Sequence, residues 1–81
     1  MPYEEWALVK PTLGATEYVA VRILRRGRRF THVQGPAGAE WRYSSRGLWD
    51  GFTSYAAAVA EIDEMRAAST AHVLRMRDRD N

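Results

Sequence analysis

The chain has 81 residues, twelve basic and ten acidic side chains, a net charge of +2 and no cysteine. This length predicts one small domain, and the lack of cysteine excludes disulfides and thiolate metal ligands and fits a reducing cytoplasm. The N-terminus lacks the basic and apolar regions of a signal peptide, and no apolar run approaches the roughly 20 residues that span a bilayer. We therefore expect a cytoplasmic protein that has no membrane partner.

The first elements along the chain are predicted strands. In residues 5–10, Trp6 and Leu8 alternate with Ala7 and Val9 as in a strand, although a single helical turn would fit the same pattern. Residues 11–14 carry a turn signal. Residues 16–24 favour a strand more strongly, because they are rich in β-branched and aromatic side chains and contain no Gly or Pro.

The next turn concentrates positive charge. Five arginines lie within eight residues, so the other 73 residues carry about −3: Arg22, Arg25, Arg26, Arg28 and Arg29. Gly27 lies among them and would tolerate the positive φ of a tight hairpin turn, which predicts a two-residue loop at Arg26-Gly27. In that register one face of the hairpin is core: Val19, Val21, Ile23, Phe30 and His32. The other face is open and cationic: Tyr18, Ala20, Arg22, Leu24, Arg29, Thr31 and Val33.

A third strand is predicted over Glu40–Ser44, after a Gly-Pro-Ala-Gly loop. Its alternation directs Trp41 and Tyr43 to the core beneath a helix, so that Arg42 joins the cationic face. Residues 45–51 are predicted to be a connection. Three side chains in it or just after it are predicted to pack under the same helix: Leu48, Trp49 and Phe52.

The C-terminal part of the chain predicts one amphipathic helix. Thr53 or Ser54 is a natural N-cap, since a hydroxyl accepts a hydrogen bond from the first turn. An apolar stripe follows at three- and four-residue steps: Tyr55, Ala58, Val59, Ile62 and Met65. The pattern allows an end near Ala68 or a continuation through Met76. Residues 1–75 are thus predicted to be the domain, and residues 76–81 a frayed tail.

The predicted fold class is α+β, with three antiparallel strands, or four if the N-terminal segment joins them, packed on one C-terminal helix. We find no sequence motif that is typical of an enzyme. The two histidines are forty residues apart, and neither a nucleophile elbow nor a phosphate-binding loop occurs. We therefore predict no catalytic residue, no metal site and no cofactor.

Three stretches carry a likeness to known DNA-binding domains: Tyr18-x-x-Val21-Arg22, Gly27-x-x-Phe30, and Gly51-Phe52-x-Ser54 with the following Ala58-Val59-x-x-Ile62-Asp63. Over about residues 18–66 the chain resembles the DNA-binding domain of Apetala/ethylene-response plant transcription factors. It is similar also to the arm-binding N-terminal domain of some phage and transposon integrases. The resemblance implies a sheet laid into the major groove, with Arg22, Arg29 and Arg42 among the contacts. Ala56 and Ala57 stand where those families carry an acidic pair.

The sequence favours a small binding module over an enzyme. Arginine pairs bidentately with phosphates and guanine edges, so a nucleic acid is the first predicted partner. The predicted contacts are Arg22, Arg25, Arg26, Arg28, Arg29 and Arg42. The alternative is a protein-interaction module, such as an inhibitor or adaptor from a mobile element, that binds an acidic protein surface with the same hairpin and exposed aromatics. A homodimer through an exposed edge strand is a third possibility.

Overall fold

A computed structural model describes the backbone of residues 4–79 and the side chains of residues 4–71. Five strands precede one helix: β1 (Trp6–Val9), β2 (Val19–Arg26), β3 (Phe30–Gln34), β4 (Glu40–Ser44), β5 (Trp49–Phe52) and α1 (Tyr55–Arg79). A short 3-10 turn at Pro36–Gly38 joins β3 to β4. The α+β class with one C-terminal helix is confirmed, and the sheet has five strands rather than three or four.

The strands form one antiparallel sheet in the order β4-β3-β2-β1-β5, and this sheet must curl. Its two edge strands are joined by only four residues, 45–48. In a flat sheet these strands would lie about 19 Å apart, whereas the connection reaches at most about 18 Å when fully extended. The connection is not extended, because the Gly47 N–H donates to the Ser44 carbonyl. Curling also brings the Tyr43 hydroxyl of β4 to within 3.5 Å of the Lys10 carbonyl oxygen, just after β1.

The curl gives the sheet a core on each side. The outer core lies between the sheet and α1, where Leu8, Ala58 and Ile62 are buried, with Trp6, Tyr18, Ala20, Phe52 and Met65 around them. The inner core is enclosed by the concave side of the sheet. Its buried residues are Ala7, Val9, Val21 and Val33, and its partly buried ones are Val19, Ile23, Trp41, Tyr43 and Leu48. The prediction that Trp41, Tyr43 and Leu48 pack beneath the helix is therefore wrong, whereas Phe52 does lie there.

The N-terminal segment is a strand and occupies the middle of the sheet. β1 pairs with β2 on one side and with β5 on the other. Alternate side chains enter opposite cores, so Leu8 is only 2% exposed on the outer side and Ala7 is fully buried on the inner side. A strand that is buried on both sides is apolar throughout, which explains why its pattern did not separate it from a helical turn.

The register predicted for the arginine hairpin is wrong. Arg22 pairs with Gln34 and Ile23 with Val33; then, after a bulge at Leu24, Arg25 pairs with His32 and Arg26 with Thr31. The predicted register would have set Arg25 directly opposite Arg28, and like charges at opposed positions destabilise a strand pair. In the observed register Arg22 faces Gln34, Arg25 faces His32 and Arg26 faces Thr31.

This register reverses the sides of β3. It differs from the predicted one by three residues before the bulge, and an odd shift moves every side chain of a strand to the other side. Val33 and Thr31 therefore enter the inner core, where Thr31 is 1% exposed. Phe30 and His32, which were predicted to be core, lie instead on the outer surface.

The fifth strand lies within the segment predicted to be a connection. Trp49–Phe52 pairs with β1 across a register shift between Trp6 and Leu8. Its central residues are Asp50 and Gly51, which are depleted in strands, and Gly51 has a φ of 101°. Trp49 packs edge-on against Tyr18, with 5.3 Å between ring centroids. Long-range pairing thus forms a strand that local preference does not indicate.

Helix α1 confirms the predicted cap and part of the predicted stripe: Ala58, Ile62 and Met65 pack against the sheet, whereas Tyr55 is 56% exposed. The Ala57 N–H donates to the Ser54 hydroxyl at 3.1 Å, so Ser54 is the N-cap. The helix runs to Arg79, three residues beyond the Met76 of the longer predicted extent, so its backbone includes residues 76–79 of the predicted tail. Asp80 and Asn81, at the end of the predicted tail, lie outside the described residues. Over the part of the chain that the structure describes, no helix is long and apolar enough to cross a membrane.

Candidate nucleic-acid interface

The outer surface of β3 and β4 extends beyond the helix, which packs on β1, β2 and β5. Strand pairing arranges its side chains in three rows: Arg22, Gln34 and Glu40; Arg25, His32 and Arg42; and Phe30 with Ser44. Residues opposed across a sheet share one side, so Arg22, Arg25 and Arg42 lie on a common surface. We call this surface the open sheet face.

One arginine of the open sheet face is paired with a carboxylate. Arg25 Nη2 lies 3.3 Å from Glu40 Oε1, and His32 Nδ1 lies 3.5 Å from Glu40 Oε2. Both partners of the Arg25 pair are largely exposed, so the pair contributes at most about 1 kcal/mol. Glu40 therefore reduces the positive charge at the centre of the open sheet face without removing it.

Arg26 belongs to a different part of the molecule. It pairs with Glu5, ahead of β1, and with Asp50 of β5 at 2.5 Å. The hydrogen bonds to Glu5 and Asp50 raise the pKa of Arg26 above its ordinary value. These three side chains join the ends of β1, β2 and β5. Arg26 is thereby positioned by the protein's own acids, and among the six predicted contacts it is the least available to a partner.

Four arginines either contact the Phe30 ring or line a depression with Phe30, and we call them the arginine cluster: Arg28, Arg29, Arg42 and Arg46. The Arg42 guanidinium carbon lies 4.5 Å from the centroid of the Phe30 ring, a cation–π contact. The other three cluster arginines line a depression of about 450 Å³ together with Phe30 and Ser44. Within residues 4–71, no carboxylate lies at salt-bridge distance from any of the four.

Ser45 holds the loop that carries Arg28 and Arg29. Its N–H donates to the Arg29 carbonyl at 2.9 Å, and its hydroxyl donates to the Gly27 carbonyl at 2.8 Å. The Thr31 and Ser45 hydroxyl oxygens are 2.7 Å apart. The single proton of Ser45 is used on Gly27, so Thr31 is the donor in that bond. These bonds fasten the loop to the end of β4, next to Arg46.

Gly27 has a different role from the predicted one. Positive φ values occur at Gly14, Gly38 and Gly51 among the described glycines, and Gly27 is not one of them. A Cβ atom at Gly27 would instead collide with the carbonyl oxygen of Phe30. The turn therefore requires glycine because two stretches of backbone approach closely.

The structure gathers five of the six predicted contact residues on one side of the molecule, with Arg26 apart from them. Arg46 and Phe30 lie beside these residues and were not among the predicted contacts. Arg46 lies two residues after Ser44, which itself lies two residues after Arg42. Because alternate residues of a strand share a side, this two-residue period could have predicted that Arg46 lies beside Arg42. Phe30 was assigned to the core because the hairpin register was wrong.

The described residues contain no group of three or more side chains suited to hold a metal ion. No protein-family model, curated protein or solved structure matches this chain.

Proposed function

We propose that this protein is a small non-enzymatic module that binds nucleic acid through the arginine cluster and the open sheet face. The observation that carries the proposal is the convergence of four arginines that have no carboxylate partner among the described side chains. Arg22 extends the same surface on β2, and Arg25 adds a charge shared with Glu40. Six arginines against one glutamate leave five positive charges on one side of the molecule.

A nucleic acid fits this surface because its backbone presents a regular series of negative charges. Guanidinium groups bind phosphate oxygens in a bidentate fashion, and each neutralised phosphate releases counterions. Four phosphates held by the arginine cluster would make log K fall with log salt at a slope of about −3 for a single strand or about −4 for a duplex. Affinity should then drop by roughly 50- to 150-fold between about 50 and 200 mM salt.

Fluorescence anisotropy with labelled single-stranded and duplex oligonucleotides tests the proposal. Arg46→Ala should weaken binding and reduce the salt slope by about 0.7 to 0.9, since it removes one phosphate contact. Arg66→Ala is the matched control. It deletes the same charge from α1, where Arg66 pairs with Glu17 at 3.1 Å, away from the cluster. Absence of binding at about 50 mM salt, or equal loss in both variants, would refute the proposal.

A protein partner with an acidic surface is the second candidate, and Glu40 is the observation that favours it. The open sheet face already accommodates a carboxylate between Arg25 and His32. Trp49 and Tyr55 are also exposed enough to contact a partner. A labelled acidic peptide that bound more tightly than every oligonucleotide would favour this candidate. Light scattering at two concentrations would detect the homodimer that the β4 edge strand could form.

A further inference from the structure

The position of Phe30 points to the kind of nucleic acid. Phe30 is the first residue of β3, and the residue is 44% exposed. Exposure of a large apolar ring is unfavourable, and a chain of this size needs its aromatic residues for the core. The ring nevertheless lies on the outer surface, amid the arginine cluster. A ring in such surroundings is suited to a ligand that offers both negative charge and a flat apolar surface.

The ring is held in place before any ligand arrives. Arg42 lies against it, and the strand pair Phe30–Ser44 fixes its backbone at the end of the sheet. Ser45 fastens the adjoining loop, so Arg28 and Arg29 are positioned beside the ring. A prearranged platform loses less conformational entropy when a ligand binds. The platform therefore combines a stacking surface with cations at its rim.

From this arrangement we infer that the partner is a single-stranded nucleic acid, with one unpaired base stacked on Phe30 and the flanking phosphates bound by the arginine cluster. Base–aromatic stacking and a basic groove are the two features that single-strand binding proteins combine. A duplex hides the faces of its bases, so it can offer the arginines its phosphates but can offer Phe30 nothing to stack on. This inference rests on the proposed function and narrows its ligand class. RNA and single-stranded DNA share the required chemistry.

Anisotropy titrations with four probes of about 12 nucleotides distinguish nucleic-acid binding in general from stacking of a base on Phe30. The probes are single-stranded RNA, single-stranded DNA, the same DNA strand with abasic sites in place of its bases, and the DNA duplex. We expect both base-bearing single strands to bind more tightly than the duplex and the abasic strand. The ratio between RNA and DNA affinities then identifies the source of the strand.

Substitution of Phe30 gives the decisive comparison. Phe30→Ala should weaken binding of the base-bearing single strands by roughly 5- to 150-fold, the range expected when one stacked base is lost. Binding of the duplex and of the abasic strand should change less than about twofold. Phe30→Tyr should restore stacking, whereas Phe30→Leu should not, although it keeps an apolar side chain. Circular dichroism of each variant checks that the sheet is intact.

The possible outcomes are distinguishable. If the duplex binds as tightly as the single strands, or if Phe30→Ala weakens all four probes equally, the stacking inference is wrong and the proposed function stands. The first of these results would support the major-groove geometry that the family resemblance implies. If none of the four probes binds, the proposed function itself fails. If Phe30→Leu binds as tightly as Phe30→Tyr, the ring makes only an apolar contact and stacking is refuted.

Discussion

Replacement of Ser45 by alanine tests how much one hydroxyl contributes to the stability of the fold. Ser45→Ala removes the bond to the Gly27 carbonyl and takes away the acceptor of the Thr31 hydroxyl. The Ser45 N–H can still donate to the Arg29 carbonyl, because the backbone is unchanged. The substitution therefore removes only the side-chain bonds of Ser45 and keeps its backbone bond to the loop.

The expected loss follows from the burial of Thr31. A typical hydrogen bond contributes about 0.5–1.5 kcal/mol, and a buried hydroxyl left without a partner costs about 1–3 kcal/mol. Thr31 is 1% exposed, so water cannot replace the lost acceptor without a rearrangement. Together these effects should lower the free energy of unfolding by about 1.5–4.5 kcal/mol. For a domain of this size, that corresponds to a fall in Tm of at least about 6 °C.

Urea and thermal unfolding followed by circular dichroism would measure the loss. Ser44→Ala is the matched control, since Ser44 lies one residue earlier on the exposed outer surface and makes no side-chain hydrogen bond among the described residues. Adding Thr31→Val to Ser45→Ala should recover part of the loss, because the double variant leaves no buried hydroxyl without a partner. Equal stability of the two single alanine variants would refute the reasoning.

Two further predictions concern the inner core. Gly35→Ala should destabilise the protein by about 1–3 kcal/mol, because a Cβ atom there would lie 2.6 Å from Cε2 of the Trp41 ring, whereas Gly47→Ala, with open space around it, should be near neutral in the same urea titration. Burial raises the pKa of the Tyr43 phenol above 10.0. The folded state then keeps this proton at a pH where the unfolded state has lost it, so this contribution is complete below pH 10 and declines above it. Tyr43→Phe should therefore lose less stability than the parent protein in alkaline urea titrations, and an equal loss would contradict this assignment.

The candidate interface was only partly predictable from sequence. The concentration of arginines at residues 22–29 is visible in the sequence, and the alternation of Glu40–Ser44 placed Arg42 beside them on the open sheet face. The pairing of Arg25 and Arg26 with acids is not visible, because Glu5, Glu40 and Asp50 are distant in the chain and approach only when the strands pair. The same pairing brings Arg46 to the cluster. The likeness to three-strand DNA-binding domains remains a prediction.

Local chemistry alone determined the helix and most of the longest strand, which was predicted over residues 16–24 and lies at Val19–Arg26. The Ser54 hydroxyl cap and the apolar residues at helical spacing favour a helix through interactions between residues close in the chain. The β-branched run of residues 16–24 favours a strand in the same way, so neighbours in the chain suffice to specify both elements. The hairpin register, the strand at Trp49–Phe52 and the choice of core for Trp41 and Tyr43 depended on the tertiary structure. The curl of the sheet, which a short connection between its edges enforces, encloses the second core that Trp41 and Tyr43 enter. The hairpin register turns Phe30 outward, and no local pattern carries such long-range information.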